Sequence, residues 1–526
     1  MRRRARIAYR PRMRDSRLAG SGFRPGPERS AQAPAGEWAP RLVQEARLVD
    51  LDGLLGPHAV DGDLVDLFVE RASLLAALGR MEDAKLAFID VLRVLPTHFG
   101  ALNEFGTFLT RIGAIAAACR VYAEAIGHHP DNPIAHVNLA NLLLRASKYD
   151  EARSHYEAAL ECDPDNANAH QGLGAVLSDL GERAAARHHF AKGFRHHAIS
   201  TLPYRGVKAP VALMQLVSSG GGNIPMASIL DDSVFQISVV VADYLDPTSP
   251  LPVHDVILNT IGDADLCMPA LRAARRLVKR TAVQVINDPR AIMTTGRVVN
   301  ARRLRGIPAL VTAETHSMRR AALAGPDGPA MIAKRGISFP LLLRSPGYHT
   351  GRHFVLVAEA NGLAGAIARL PGDELLVIRY LDARGNDGNA RKYRVMLIDG
   401  ELFPLHLAIS RDWKVHYFTS QTSENADHRR EEAQFLEDMR GVLGHKAISA
   451  LERVGQILGL DYAGVDFGIN HNGDVLLFEA NATMIVARPD LDDRFAYRHK
   501  AVDRIIEAVV RMIERKADIG RALMRG

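Results

Sequence analysis

The first half of the chain has a pattern of small and aromatic positions that repeats every 34 residues. Three prolines keep this spacing, at Pro96, Pro130 and Pro164. The other columns are Gly79, Gly113, Ser147 and Gly181; Ala84, Ala118, Ala152 and Ala186; Phe88, Tyr122, Tyr156 and Phe190; Ala72, Gly106, Ala140 and Gly174; and Leu75, Leu109, Leu143 and Leu177. Small residues allow two helices to approach closely, aromatic residues fill the space between repeats, and Pro ends a helix. The pattern therefore predicts stacked pairs of helices.

These columns resemble the signature of the tetratricopeptide repeat (TPR) family over about residues 66–199. The resemblance implies about four repeats in an all-α TPR solenoid, which we place at residues 51–199, and a concave groove that binds a peptide or protein segment. Adjacent histidines at 128/129, 188/189 and 196/197 suggest metal binding as an alternative. Because neighbouring residues on a helix point in different directions, solvated helix ends are the favoured interpretation.

Beyond about residue 205 the pattern changes to short apolar runs alternating with helical segments, which is typical of an α/β fold. We place a first α/β lobe at residues 206–310, a second α/β domain at 311–515 and a C-terminal tail at 516–526. Asn259, Asp263 and Asn287 lie at predicted strand ends, where open α/β sheets bind their ligands. Capping and turn formation would explain these three residues equally well.

The segment LDYAGVDFGINHNGDVLLFEANAT, from Leu460, predicts an antiparallel hairpin with Asn472-Gly473 as a two-residue turn. This register sets Asp466 opposite Glu479, with Asn481 on the same face. The other face is predicted to be core and contains Val465, Phe467, Ile469, Leu476, Phe478 and Ala480. Two facing carboxylates need a cation or proton between them, and with an amide oxygen they suit Mg²⁺. A solvated hairpin end is the alternative.

Composition and charge add little to this picture. The 526 residues are 47% hydrophobic, which allows several buried cores. Residues 1–50 hold twelve arginines against five acidic residues, so the net charge of +6 belongs to this basic tail and does not indicate a nucleic-acid ligand. We expect the tail to be disordered, with an RNA- or membrane-contacting arm as the alternative. The three cysteines have no metal or disulfide spacing, and no apolar run is long enough to span a membrane, so we expect a cytoplasmic protein.

The order of motifs over about residues 206–515 resembles the ATP-grasp family of carboxylate–amine ligases, in particular the glutathione-synthetase and ribosomal-protein-modification (RimK) type. These motifs are a preceding α/β lobe, a basic strand with a glycine-containing loop, a hinge, an arginine-bearing strand and the hairpin with its Asp and Glu-x-Asn. The resemblance implies an α/β ATP-grasp fold that transfers the γ-phosphate of ATP to a carboxylate. An amine, or less often another nucleophile, then attacks the resulting acylphosphate.

The same resemblance implies roles for individual residues. Asp466, Glu479 and Asn481 would hold Mg²⁺, or Mn²⁺ in its place, against the ATP phosphates. Arg394 in KYRVMLIDG would stabilise charge near the γ-phosphate and the acyl group. Arg297 and Arg344 stand where the family has phosphate-binding lysines, which keeps the charge but changes the geometry, and Lys334 is a candidate to compensate.

The remaining predicted contacts lie on three segments. The loop over the phosphates contains Tyr348, His349, Gly351, Arg352 and His353. The adenine hinge contains Ile378, Tyr380 and Leu381, and Asp382 would contact the ribose. The segment HLAISRDWKVHYF carries Arg411, Trp413, Lys414 and His416, which would line the acceptor site or pack at a strand edge.

Two hypotheses follow. The first is an ATP- and Mg²⁺-dependent carboxylate–amine ligase that acts on small-molecule or peptide substrates and recruits a peptide or protein through its repeats. The second is a non-catalytic TPR scaffold whose ATP-grasp domain binds nucleotide only, because two expected lysines are arginines. Retention of both hairpin carboxylates favours the ligase.

Overall fold

The computed structural model describes residues 41–56, 64–348, 351–415, 422, 424–489 and 493–525. The basic tail predicted at residues 1–50 falls mainly outside the described residues, as do His349 and His416. The first helix nevertheless begins at Arg41, so the helical region starts before the predicted boundary at residue 51.

The first half of the described chain is helical. Its helices are α1 (Arg41–Leu55), α2 (Val65–Ala77), α3 (Met81–Val94), α4 (Phe99–Arg111), α5 (Ile115–His128), α6 (Pro133–Arg145), α7 (Tyr149–Cys162), α8 (Ala167–Asp179) and α9 (Arg183–Gly193). Helices α2 to α9 form four consecutive pairs, which we call the repeat array. The predicted helical solenoid is confirmed.

The 34-residue columns are explained by packing within each helix pair. The alanine and aromatic columns of the second helices are buried throughout. A Cβ atom added to Gly106 would lie 2.5 Å from the Tyr122 ring, and one added to Gly174 would lie 2.6 Å from the Phe190 ring. The turn column has φ values of 85°, 78°, 59° and 86° at Gly79, Gly113, Ser147 and Gly181, a left-handed conformation that favours Gly. The small residues are therefore required by the contacts and turns that they make.

A first lobe follows the array. Its strands are β1 (Ile199–Thr201), β2 (Val211–Val217), β3 (Phe235–Val241), β4 (Val256–Asn259) and β5 (Gln284–Ile286), in the order β1-β3-β2-β4-β5. Strand β1 pairs antiparallel with β3, and the other pairs are parallel. Its helices are α10 (Met268–Leu277), α11 (Pro289–Ile292) and α12 (Arg297–Arg303). Because β1 belongs to this sheet, the lobe begins near residue 199 and not at residue 206.

The second α/β part contains two sheets. The strands are β6 (Leu310–Thr312), β7 (Thr315–Arg319), β8 (Leu341–Arg344), β9 (Phe354–Val357), β10 (Glu374–Arg379), β11 (Ala390–Ile398), β12 (Glu401–Ser410), β13 (Tyr462–Ile469) and β14 (Val475–Asn481). The small sheet has the order β7-β10-β8-β9, and the C-terminal sheet has the order β12-β11-β13-β14-β6. The helices are α13 (Arg320–Ala324), α14 (Gly328–Ala333), α15 (Leu363–Ala368), α16 (Ala426–Glu437), α17 (Met439–Leu458) and α18 (Ala496–Arg525). The predicted mixed α/β class is confirmed.

The tail predicted from residue 516 is helical through Arg525, as the last part of α18. Ala517 is fully buried, Lys516 contacts Asp461 at 2.7 Å, and Arg521 contacts Asp255 at 2.8 Å. None of the helices in the described ranges has the length and apolar character needed to cross a bilayer.

Several hydrophobic cores hold these parts together. The largest joins the first lobe to the C-terminal sheet, and the small sheet has a core of its own. The core of the repeat array extends into the first lobe through Val217 and Val241. Tyr244 stacks on Phe194 with ring centroids 5.7 Å apart and also contacts Phe190. The array therefore packs directly on the lobe that follows it.

Candidate active site

The hairpin between β13 and β14 has a different turn from the one predicted but the predicted pairing at its far end. Asn470 N donates to the carbonyl oxygen of Asp474 at 3.0 Å, and Asp474 N donates to Asn470 Oδ1 at 2.8 Å. Gly473 has a φ of 77°, and three residues form the loop instead of two. A β-bulge between Asp466 and Phe467 adds one residue on β14. The two one-residue differences cancel, and Asp466 pairs with Glu479 as predicted.

The bulge also changes which side chains of β14 join the core. Val475 and Leu477 belong to the large core, together with Val465, Phe467 and Ala480. Leu476 and Phe478, which were predicted to lie on that face, are not members of the core. The predicted core face is therefore wrong for the part of β14 before the bulge and correct beyond it.

Four polar residues form a continuous row across the C-terminal sheet. Strand pairing sets His406 opposite Arg394, Arg394 opposite Asp466, and Asp466 opposite Glu479. Directly opposed residues share one face of a sheet, with Cβ atoms about 5 Å apart. The row therefore joins one predicted catalytic residue to two predicted metal ligands, and His406 is an addition that the sequence did not indicate.

Asp466 lies at the centre of the row and is 4% exposed. Arg394 donates from Nε and Nη2 to its two oxygens at 2.5 and 2.8 Å, and Lys392 Nζ lies 3.2 Å away. Burial alone would raise the pKa of Asp466, but Arg394 and Lys392 hold it well below its usual range. Burial, followed by the charge of Arg394, lowers the pKa of His406 well below its ordinary value, so this imidazole is neutral at pH 7.

Glu479 has a separate set of partners. Arg297 Nη1 donates to its Oε1 at 2.6 Å, and Asn481 Nδ2 donates to the same oxygen at 2.8 Å. Asn481 Oδ1 accepts from the backbone N and the hydroxyl of Thr483, each at 2.9 Å. Asn481 thus directs its amide nitrogen, and not its oxygen, to Glu479.

Arg344 brings a second arginine close to this carboxylate. It ends β8 and is buried, and burial followed by repulsion from Arg297 lowers its pKa to about 10. Glu479, Asp263 and Asp265 oppose that shift because their charges attract the guanidinium. Asp265 also accepts a hydrogen bond from the backbone N of Arg297 at 3.0 Å. Residues from the first lobe, the small sheet and the C-terminal sheet therefore meet here.

The glycine-containing loop after β8 is held from two sides. Arg344 donates to the carbonyl oxygen of Tyr348, and Lys414 donates to the carbonyl oxygen of Gly351, which has a φ of 70°. A Cβ atom added to Gly347 would lie 3.1 Å from Arg183 Nη2, so the last helix of the repeat array reaches the same loop.

Aromatic and basic side chains surround this loop. Arg352 lies 5.7 Å from the Tyr348 ring centroid, and the Tyr348 and His353 rings are 4.3 Å apart. The Phe354 ring lies 5.5 Å from the Trp413 ring. Trp413 and Lys414, left open as acceptor-site candidates, therefore lie beside the predicted phosphate loop.

The predicted hinge connects two sheets. Ile378 lies in β10 and pairs with β7, and the connection towards β11 contains Tyr380, Leu381 and Asp382. Asp382 is engaged by Arg384, whose hydrogen bond is the main cause of its lowered pKa. Lys334 is an exposed residue after α14, and the structure gives it no contact with Arg297 or Arg344 among the described residues.

Two of the strand-end candidates have structural roles. Asn287 donates to the carbonyl oxygen of Tyr462 and accepts from its N, both at 2.9 Å, and has a φ of 58°. Asn259 donates to the carbonyl oxygen of Asn287 at 2.9 Å. These amides join the first lobe to β13, which favours the structural alternative for Asn259 and Asn287.

The residues present can be compared with the needs of Mg²⁺. Asp466 and Glu479 offer hard carboxylate oxygens on one face of adjacent strands, which is the donor chemistry that Mg²⁺ prefers. Within the described part of the chain, no group of three or more His, Cys, Asp and Glu side chains is placed to hold a metal ion. The chemical type of the donors therefore fits Mg²⁺. To bind the ion, the carboxylate oxygens would have to release the hydrogen bonds that they now accept from the arginines and from Asn481 Nδ2.

Comparison with known protein families supports the repeats predicted in the first half of the chain. Family models of the tetratricopeptide repeat match residues 109–167 and 143–198, which confirms the predicted repeats in that region. No curated protein sequence matches the chain.

Solved structures match each half separately. A fragment of MamA from Desulfovibrio magneticus RS-1 is 22% identical over 29% of this chain and 90% of its own, with a TM-score of 0.25. The D-alanine–D-alanine ligase from Coxiella burnetii is 13% identical over 60% of this chain and 97% of its own, with a TM-score of 0.38. The ATP-complexed ligase from Bacillus anthracis is 13% identical over 59% and 99%, with a TM-score of 0.35. These values are too low to assign an activity.

Proposed function

We propose that the chain is an ATP- and Mg²⁺-dependent carboxylate–amine ligase of the ATP-grasp type, forming C–N bonds through an acylphosphate. The row of Arg394, Asp466 and Glu479, with Arg297 beside Glu479, carries this proposal. Acidic and basic side chains meet here at a junction of three sheets. The basic side chains would offset the negative charges of a triphosphate and a carboxylate, which otherwise repel each other. Activity of this kind fits a reducing cytoplasm, in which the free thiols of Cys119, Cys162 and Cys267 are stable.

The chain's own residues have defined tasks in this proposal. Arg394 would stabilise charge on the transferring phosphoryl group, and Arg297 and Arg344 would attract the other phosphates. Asp466, Glu479 and Asn481 would hold Mg²⁺, which neutralises phosphate charge when bound. The loop with Gly351 and Arg352 would cover the phosphates, and the hinge with Tyr380 would hold the base. Arg183 brings the repeat array, with its peptide or protein partner, to that loop.

A second function is favoured by the hydrogen bonds around the carboxylates. Both oxygens of Asp466 are engaged by basic side chains, and Asn481 donates to Glu479 instead of offering an oxygen. A site that keeps these ion pairs would bind nucleotide without turning it over. The chain would then be an interaction scaffold with a nucleotide-binding domain.

ADP release separates the two functions. The purified full chain is incubated with ATP and MgCl₂ and screened against amino acids and short peptides. Ligase activity predicts substrate-dependent ADP that Asp466→Asn abolishes, whereas Asp474→Asn leaves it unchanged. Asp474 is the matched control, because it is a carboxylate of the same hairpin whose partner is Lys446 at 2.6 Å, away from the row. Nucleotide binding without ADP release for every acceptor would support the scaffold.

A further inference from the structure

Two repeats contain a histidine pair at equivalent positions. His136 of α6 faces His155 of α7, and His170 of α8 faces His189 of α9. Both members of the second pair lie 34 residues after those of the first. We call these two pairs the histidine pairs. They differ from the adjacent histidines noted in the sequence, because each pair joins the two helices of one repeat.

The geometry of the two pairs is nearly the same. The Nδ1 atoms are 3.1 Å apart in the first pair and 2.9 Å apart in the second. The ring centroids are 5.3 and 5.1 Å apart, with interplanar angles of 42° and 43°. In both repeats, therefore, two Nδ1 atoms converge on one point between the helices.

A backbone carbonyl fixes the tautomer of the first histidine in each pair. His170 Nε2 lies 3.0 Å from the carbonyl oxygen of Pro164, and His136 makes the equivalent bond to Pro130. A carbonyl can only accept, so each Nε2 carries the proton and each Nδ1 presents a lone pair to its partner. An imidazole that donates one N–H to a carbonyl and directs its other nitrogen inward is the usual arrangement of a metal-binding histidine.

Burial keeps these imidazoles neutral. It is the main cause that lowers the pKa of all four, to about 4 in His189, where the charge of His170 adds to it. His136 and His170 are buried, whereas their partners are only half-buried, which leaves each pair an open side towards solvent. Neutral nitrogens with solvent access are what a metal ion requires.

The other repeats show that the fold does not need histidines here. The equivalent positions hold Leu102 and Val121 in the preceding repeat, and Phe68 and Ala87 in the repeat before that. Leu102 and Val121 pack in an apolar cluster. An apolar pair therefore satisfies the packing, so the fold does not require histidines at these positions.

We propose that each histidine pair is a two-nitrogen site for a divalent transition-metal ion such as Zn²⁺. Imidazole nitrogens suit Zn²⁺, Ni²⁺ and Cu²⁺, and a tetrahedral ion with Zn–N bonds of about 2.0–2.1 Å separates two nitrogens by roughly 3.3 Å. The pairs need to open by only a few tenths of an ångström, while His155 and His189 move their proton to Nε2. Each pair supplies two ligands, so the remaining positions are open to water or to a side chain of a bound partner.

Zinc titration of the metal-free full chain by calorimetry tests this site. We expect two Zn²⁺ ions per chain. One should be lost in His155→Val, one in His189→Val, and both in His155→Val/His189→Val. The double variant His136→Leu/His155→Val reproduces the pair of the preceding repeat, so it should fold normally by circular dichroism and still lose one ion. His128→Ala is the matched control and should still bind two Zn²⁺ ions, because His128 contacts Glu124 and belongs to neither histidine pair.

Two results would overturn the proposal. One is the absence of Zn²⁺ binding in the folded wild-type chain, which would leave the pairs as hydrogen bonds only. The other is binding that the pair variants do not reduce. Mg²⁺ at the same concentration should not displace Zn²⁺, since a hard ion prefers oxygen ligands. The titration does not depend on ligase activity.

Discussion

The buried pair between Arg394 and Asp466 gives the most direct test of the candidate site. Arg394→Met removes two hydrogen bonds of 2.5 and 2.8 Å from a carboxylate that is 4% exposed. Leaving one member of a buried pair alone costs about 3–5 kcal/mol of the free energy of unfolding. Lys392, at 3.2 Å from Asp466, still offers a positive charge, so we expect the lower end, about 3 kcal/mol.

The loss is measurable by urea denaturation followed by circular dichroism. With a denaturant slope of about 3 kcal/mol/M, the midpoint of the transition that includes the C-terminal sheet should fall by about 1 M. Arg384→Met is the matched control, since Arg384 pairs with Asp382 at the surface and an exposed pair contributes at most about 1 kcal/mol. The triple variant Lys392→Met/Arg394→Met/Asp466→Leu should recover much of the loss, because it leaves neither an unpaired carboxylate nor an unpaired ammonium at this place. A midpoint equal to that of Arg384→Met, or a triple variant no more stable than Arg394→Met, would refute the reasoning.

Three further predictions concern other parts of the molecule. Gly174→Ala should destabilise the array by about 1–3 kcal/mol, because its Cβ would lie 2.6 Å from Phe190, whereas Gly127→Ala, which meets nothing within 4 Å, should not; thermal unfolding compares the two. Asn287→Ala should lower the free energy of unfolding by about 3 kcal/mol, because two buried hydrogen bonds to β13 are lost and alanine tolerates the left-handed φ of 58° less well than asparagine. An unchanged melting temperature would contradict this. The metal-free array should lose about 1 kcal/mol as pH falls from 7 to 5, because burial lowers the histidine-pair pKa values and the unfolded chain binds protons first below about pH 6.5; His155→Val/His189→Val should flatten this pH dependence.

The sequence was most informative where local periodicity controls structure. The repeat columns were predictable because contacts such as those of Gly106 with Tyr122 and of Gly174 with Phe190 join helices that are adjacent in sequence. The facing of Asp466 and Glu479 was predicted from an assumed turn that the structure does not have. The three-residue loop and the bulge offset each other, and a bulge is set by packing with neighbouring strands, which one segment does not encode.

The partners of the candidate residues were less predictable. Lys392 could have been found, since it precedes Arg394 by two positions on a strand and so shares its face. His406 carries no such signal, because a single histidine in the apolar run LFPLHLAIS is equally consistent with packing. Asn259 and Asn287 were left open between substrate contact and a structural role from their strand-end positions, because their link to β13 depends on how two sheets dock. Contacts between distant segments are decided by tertiary packing and not by local pattern.

The continuity between the repeat array and the first lobe limits how the chain can be divided. Val217, Val241 and Tyr244 supply apolar surface that the last helix pair would otherwise expose to water. If the chain were divided near residue 200, each fragment would expose an apolar surface, so both fragments should aggregate when produced alone. During synthesis the array would emerge from the ribosome before the surface that completes it, and the last repeat would settle only after the strands of the lobe had followed.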